Sequence, residues 1–316
     1  MNPAPISQRT YRWQDWDLDA LLRRKQETGV MASLVLPARN EAATIGDVVG
    51  RVRTALVEAS PLLDEIVVID SDSTDDTFVA ATEAGAVVHR SSEIRPDLGT
   101  HRGKGEAMWK SLFVVRGDLI VFMDADLVDW DTHFVRGLLG PLLCDEGVAL
   151  VKGFYERTRG DDAGGGASLE GGRVTELVAR PLIALEWPEL SWLVHPLAGE
   201  WAVRRELFQR LSVPTGYGVE LAALVDALHL LGPEAIAQVD LGRRAHRHQG
   251  LRGLGSMAAQ ILAASSRRST GAAPDSVSLE QPHKVGEEIE TVRNEIPLVE
   301  RPPAVDQMDQ VGGSEA

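Results

Sequence analysis

Trp16, Leu18, Leu21 and Leu22 fall on helical spacing and predict a leading helix within residues 16–25. From residue 33 the pattern becomes short, wholly apolar runs separated by amphipathic stretches. Residues 33–36, 65–69 (EIVVI), 86–89 and 119–123 (LIVFM) read as strands. Residues 44–58, 76–84 and 104–115 read as helices, the first capped by Asn40 or Thr44. Continuous apolar strands alternating with helices predict a parallel sheet covered on both faces. After residue 150 the rhythm changes. A strand over 149–154 leads to a glycine-rich loop over 160–172, then helices near 174–185, 204–211 and 219–231, a strand over 235–240 and a closing helix over 253–267.

The expected fold is therefore α/β, a mostly parallel sheet flanked by helices. Its division is a helical extension over 1–30, one half over 31–150, a second half of the same domain over 151–270, and a tail over 271–316. Ligands of such sheets sit beyond the carboxyl ends of the strands, which singles out the loops 37–41, 70–76, 99–104 and 124–131.

Charge changes the picture in two places. Asp and Glu number 47 against 32 Lys and Arg, a net −15 that disfavours nucleic acid as a partner through long-range repulsion. The segment 271–316 carries −7 of that charge, five prolines and no aromatic residue, and predicts a flexible acidic tail with a short helix or strand near 285–299. A single cysteine, Cys144, excludes a disulfide framework and any multi-cysteine metal site. No apolar run approaches the roughly 18 residues of a membrane span, and no export signal is visible at the start, so a cytoplasmic protein is expected.

The sharpest chemical signal is Asp124-Ala125-Asp126, directly after the LIVFM strand. Two carboxylates two residues apart can divide their work, one meeting a sugar hydroxyl and one a hard cation such as Mg²⁺ or Mn²⁺. The bare pattern is cheap. Asp15/Asp17, Asp17/Asp19, Asp70/Asp72 and Asp129/Asp131 match it too, and only Asp70/Asp72 and Asp124/Asp126 follow buried strands at the ligand edge.

The segments LPARNEAATI (36–45), EIVVIDSDSTDDT (65–77), GKGEAMWKS (103–111) and LIVFMDADL (119–127) resemble the nucleotide-sugar half of GT-A (Rossmann-like) glycosyltransferases. GGRVTELVARPL (171–182), PLAGEWAVRRELF (196–208), GYGVE (216–220) and GRRAHRHQG (242–250) narrow the resemblance to the actinobacterial glucosyl-3-phosphoglycerate synthases, over about residues 15–268. The resemblance implies retaining transfer of glucose from UDP-glucose to the 2-hydroxyl of 3-phosphoglycerate, by a homodimer that needs Mg²⁺ or Mn²⁺. It assigns donor binding to Pro37, Ala38, Arg39, Glu41, Ser71, Lys104, Asp124 and Ala125, and acceptor binding to Gly172, Arg173, Thr175, Arg244 and His248. It assigns the metal to Asp126 and His246, and catalysis to Glu220 and Asp124 with the backbone at Leu197. The family pattern prefers Asn where this chain has His248, which bears on acceptor affinity and pH dependence.

Physical roles fit these assignments. Lys104, between Gly103 and Gly105, suits a phosphate contact at a helix start, and Arg173 a phosphate or carboxylate contact at another. No second carboxylate stands out as a covalent nucleophile, which favours front-face attack. The local charges expected to matter, Lys104, Arg173, Arg244, His246 and one bound cation, oppose the sign of the whole chain. Alternatives remain: a mannosyl-3-phosphoglycerate synthase or another GT-A hexosyltransferase with a different nucleotide sugar, and a nucleotide-sugar-binding scaffold without activity.

Overall fold

The computed structural model describes residues 9–159, 172–246, 250–286 and 288–308. Its centre is an eight-stranded sheet whose inner strands are apolar on both sides, because helices cover both faces. In chain order the elements begin with β1 (Thr10–Arg12) and α1 (Leu18–Thr28), capped by the Asp17 carboxylate and ended by Gly29 in the left-handed region. Next come β2 (Ala32–Ala38), α2 (Ile45–Arg53), β3 (Glu65–Asp70), α3 (Thr77–Glu83), β4 (Val87–Arg90), α4 (Lys104–Ser111), β5 (Leu119–Phe122) and α5 (His133–Cys144). These are followed by β6 (Leu150–Arg159), α6 (Arg180–Glu186), β7 (Trp201–Arg204), α7 (Arg205–Phe208), β8 (Val213–Pro214), α8 (Val219–Leu231), β9 (Ile236–His246) and α9 (Leu251–Thr270). The chain closes with β10 (Ser276–Val285), β11 (Glu288–Pro297), β12 (Glu300–Arg301) and α10 (Val305–Met308).

The strand order is β1-β9-β6-β7-β5-β2-β3-β4. Every pairing is parallel except those of β7, which runs antiparallel between β5 and β6 with Trp201 opposite both Phe122 and Lys152. The reversed strand has a consequence for function. It brings the start of β7, with Gly199 and Glu200 just before it, to the edge where β2, β3, β5 and β9 end. One apolar layer packs α1, α2 and α5 on one face of the sheet, and the other packs α4, α6 and α8 on the opposite face.

Two expectations are corrected. The stretch 1–30 is more than a helical extension, since β1 joins the main sheet through parallel pairing with β9. The stretch 271–316 is not a flexible tail over its described part: β10 and β11 form a ten-residue antiparallel ladder, and β12 pairs with β8. Strand alternation explains the first of these structures. Val277, Leu279 and Ile296 fall on the face that packs against α9, while Glu280 and Glu295 fall on the other side. Among the described residues, no helix is long and apolar enough to cross a membrane.

Candidate active site

The buried end of β5 delivers Asp124-Ala125-Asp126 to the carboxyl edge of the sheet. Thr44 Oγ1, at the start of α2, donates to the Ala125 carbonyl at 2.8 Å and fixes the turn. The Asp124 carboxylate lies flat on the backbone at Gly199, where any Cβ would overlap its oxygens. Glycine is therefore required at 199 for space.

Asp124 joins two cations. Lys104 Nζ donates to its Oδ1 at 2.6 Å and Arg244 Nη2 to its Oδ2 at 3.1 Å. Lys104 also meets Glu220 Oε1 at 2.8 Å. The Arg244 guanidinium, buried on β9, donates to the Tyr155 hydroxyl at 2.9 Å, pairs with the buried Glu200 carboxylate and lies 3.6 Å from Asp126 Oδ1. The result is a continuous ladder, Glu220–Lys104–Asp124–Arg244–Glu200, with Asp126 at its more exposed side. Behind it, the buried Lys152 on β6 donates to the Ala198 carbonyl at 2.6 Å and lies 5.4 Å from the Trp201 ring centroid.

These contacts set the charge states. Burial alone would raise the Asp124 carboxyl, but the Lys104 and Arg244 charges overcome it and hold Asp124 well below the usual carboxylate range. Asp126 moves the other way, raised by burial and then by the neighbouring Asp124 charge. Burial also raises Glu200 against the pull of Arg244. Burial pushes Lys152 down to about 7, with the Glu220 charge opposing it. Four carboxylates thus share the cluster with two firmly charged cations, Lys104 and Arg244. A half-exposed carboxylate crowded by like charge suits a hard divalent cation, so Asp126 fits the metal role expected of it. Its expected partner, His246, is the last residue of β9, parallel to β6 and opposite Arg159. No set of three metal-ligating side chains occurs among the described residues.

The loops expected to hold the donor lie side by side. Pro37 and Ala38 end β2, and the Ser71 amide donates to the Ala38 carbonyl at 2.8 Å. Asn40, at φ 56°, receives the Thr74 amide on its side chain, and its own amide donates to Ser73 Oγ. The Glu41 amide donates to Thr77 Oγ1 at 2.8 Å. Pro37, Ala38, Arg39, Glu41 and Ser71 therefore share one rim, with Arg39 exposed.

Two helix starts carry the remaining reactive groups. Lys104 opens α4 and Glu220 is the second residue of α8. The starts are pressed together: the Glu106 amide donates to the Thr215 carbonyl at 2.9 Å, and a Cβ at Gly103 or Gly105 would overlap the Thr215 or Pro214 carbonyl oxygen. Gly103 also sits at φ 141°, which favours glycine.

The acceptor residues divide. Arg244 is a buried member of the ladder, between Asp124 and Glu200. Gly172, Arg173 and Thr175 open the helical segment leading to α6, with Arg173 exposed and Thr175 buried. Arg180, on α6, donates to the Leu193 and Val194 carbonyls and so ties that segment to the stretch containing Leu197 and Gly199. His248 lies outside the described residues, as does most of the glycine-rich loop. Sequence reasoning missed Lys152, Tyr155 and Glu200. The first and last had a legible signal, a charged residue inside an apolar run, in ALVKGF and LAGEWAV.

The family model for glycosyl transferase family 2 matches residues 33–211. The chain is 44% identical over 295 residues to the glucosyl-3-phosphoglycerate synthase of Mycolicibacterium smegmatis, covering 92% of this chain and 93% of that one. Among solved structures it resembles the mannosyl-3-phosphoglycerate synthase of Rubrobacter xylanophilus, with a TM-score of 0.86, 40% identity, and coverage of 95% and 96%. It also resembles the Mycobacterium tuberculosis glucosyl-3-phosphoglycerate synthase in complex with Mn²⁺, UDP and glucosyl-3-phosphoglycerate, with a TM-score of 0.81, 42% identity, and coverage of 92% and 96%.

Proposed function

The chain belongs to glycosyl transferase family 2, and from that premise we propose that it is a retaining glucosyl-3-phosphoglycerate synthase. It moves glucose from UDP-glucose to the 2-hydroxyl of 3-phosphoglycerate. The observation that carries the reading is the ladder of Lys104, Asp124, Arg244 and Glu220 at the carboxyl edge of the sheet, where ligands of such sheets bind. Donor and acceptor are both anionic, and Lys104 and Arg244 are the fixed cations they would share.

In the mechanism, the rim of Pro37, Ala38, Arg39, Glu41 and Ser71 holds the uridine, and Asp124 receives a ribose hydroxyl. Lys104 turns its charge toward the diphosphate. The Leu197-Ala198-Gly199 backbone, fixed from behind by Lys152, supports the glucose ring. Arg173 holds the acceptor's charged end, with Arg244 beneath it. Glu220 binds glucose hydroxyls and orients the acceptor hydroxyl. The anomeric carbon–oxygen bond to UDP breaks, the acceptor 2-oxygen bonds to that carbon on the same face, and its proton passes to the departing phosphate oxygen. Asp126 and His246 would hold the Mg²⁺ or Mn²⁺, which supplies Lewis-acid neutralisation of the diphosphate.

A homodimer is the expected assembly, with the exposed Val285 and Ile289 of the β10–β11 ribbon open to a partner. Light scattering at several concentrations reads that state. Multiply charged substrates, which do not cross a bilayer, support a cytoplasmic location. The likeness to a mannosyl-3-phosphoglycerate synthase favours one second reading, mannosyl transfer. Incubation with UDP-glucose, UDP-mannose, GDP-glucose or GDP-mannose, Mg²⁺ and 3-phosphoglycerate, with mass detection of the product, decides between them. Product from UDP-glucose is expected; nucleotide release without a new glycoside would leave only the donor half standing.

A further inference from the structure

Residues 298–302 return from the hairpin and cross the two helix starts that carry Lys104 and Glu220. Backbone pairing sets the crossing: β12 lies antiparallel to β8, and the Val299 carbonyl accepts from both the Thr215 amide at 3.0 Å and Thr215 Oγ1 at 3.1 Å. Successive strand residues point to opposite sides, and here each side finds a charged partner. Glu300 accepts from Arg268 at 3.0 Å, and Arg268 in turn donates to Asp226 on α8 at 2.7 Å. Arg301 turns the other way into α4.

The Arg301 guanidinium is nearly buried, and four acceptors surround it. Nε donates to Glu106 Oε2 at 2.8 Å and Nη2 to Glu106 Oε1 at 2.6 Å. Nη1 reaches the Leu98 carbonyl at 2.8 Å, and Nη2 also reaches the Gly99 carbonyl at 3.0 Å. Its Cζ lies 4.8 Å from the centroid of the Trp109 ring, whose indole donates to the Pro302 carbonyl at 2.8 Å. The fork therefore joins the loop before Lys104 to the first turn of the helix that Lys104 opens. That loop belongs to the ligand edge of the sheet.

We infer that the strap over residues 298–302 is part of the active-site framework, with Arg301 a positioning residue that sets Lys104 through Glu106 and the Leu98 and Gly99 carbonyls. Arg301 touches no reacting atom. Its geometry holds the α4 start against Thr215, and a displacement of about 1 Å there would misalign Lys104 with a bound diphosphate. The inference rests on the donor role proposed for Lys104.

The test uses the full chain and UDP with Mn²⁺ as the probe, read by calorimetry, beside steady-state kinetics. Glu106→Leu/Arg301→Met removes both charges together, so that no buried carboxylate is stranded and the fold is retained. Arg301→Lys keeps the charge opposite Glu106 but loses the planar fork. The expected result is a UDP Kd raised about tenfold in the double variant and about threefold in Arg301→Lys, with the KM for 3-phosphoglycerate unchanged. A lowered melting temperature with the UDP Kd within twofold of wild type, in either folded variant, would overturn the inference. Failure of the wild type to bind UDP would instead remove the donor reading and the inference with it.

Discussion

Lys152 offers a test of the electrostatics beneath the site. It is almost fully buried on β6, its ammonium has one hydrogen bond, to the Ala198 carbonyl, and burial brings its pKa down to about 7. In the unfolded chain a lysine titrates near 10.5. Between those values the unfolded state binds more protons than the native state, so this residue makes stability rise with pH from about 7 to about 10.5. Below 7 both states are charged and the penalty of the buried ammonium is fully present. Each pH unit within the window is worth about 1 kcal/mol or a little more, so the change between pH 7 and pH 9 is roughly 2 kcal/mol. Lys152→Met deletes that dependence and forfeits about 1 kcal/mol of hydrogen bond. Urea unfolding of both proteins at pH 6, 7, 8 and 9 isolates it, since the other titrations cancel in the difference. Wild type should gain on the variant steadily above pH 7, with a flat difference below. A difference constant from pH 6 to 9 would show that Lys152 stays charged throughout, and the neutral-lysine picture would fail.

Other outcomes are expected from the cluster itself. Glu220→Gln should lower kcat at least about 100-fold while leaving UDP-glucose affinity within about threefold; equal loss of both would sink the catalytic assignment. Asp126→Asn should abolish the strengthening of UDP binding by Mn²⁺, seen by calorimetry with and without the ion, and chelation should bring the wild type to the same weak affinity. Gly199→Ala must push the Asp124 carboxylate aside. A fall in kcat/KM of about tenfold or more should accompany it, and an unchanged value would mean that Asp124 need not rest on that backbone.

Sequence periodicity carried the β5-β2-β3-β4 half of the sheet well, because β2, β3 and β5, buried on both faces, read as apolar runs and their helices as amphipathic ones. Observed β2, β3, β4 and β5 differ from the expected strands by at most two residues at either end. It missed α5, whose sequence HFVRGLLGPLLC is apolar nearly all round and contains Pro141, so it shows neither a clear stripe nor a clean break. It missed β7 because four residues, WAVR, are too short to display a period. That omission concealed why Glu200 belongs to the site: only the reversed strand brings it beside Arg244. The hairpin was hidden for a different reason. Net charge and proline count average over a segment, whereas β10 hides alternate residues only, and an average erases an alternation of period two.

The charge of the site follows a different rule from the one its motifs suggest. Lys104, Arg173, Arg244 and His246 imply a basic pocket waiting for two anions. In the folded cluster, Asp124, Asp126, Glu200 and Glu220 face Lys104 and Arg244 directly, while burial leaves the neighbouring Lys152 only partly protonated near neutral pH. Carboxylates outnumber firm cations by two, the charge of one divalent ion. Burial first, and the Asp124 charge second, raise the Asp126 carboxyl. A diphosphate approaching without metal meets net repulsion, and one arriving with Mg²⁺ or Mn²⁺ meets a balanced site. The acidic surplus therefore couples donor binding to the metal: UDP should bind far more weakly alone, and the ion should bind weakly without UDP, by the same factor. Calorimetric titration in both orders measures that reciprocity, and strong UDP binding in chelator would refute it.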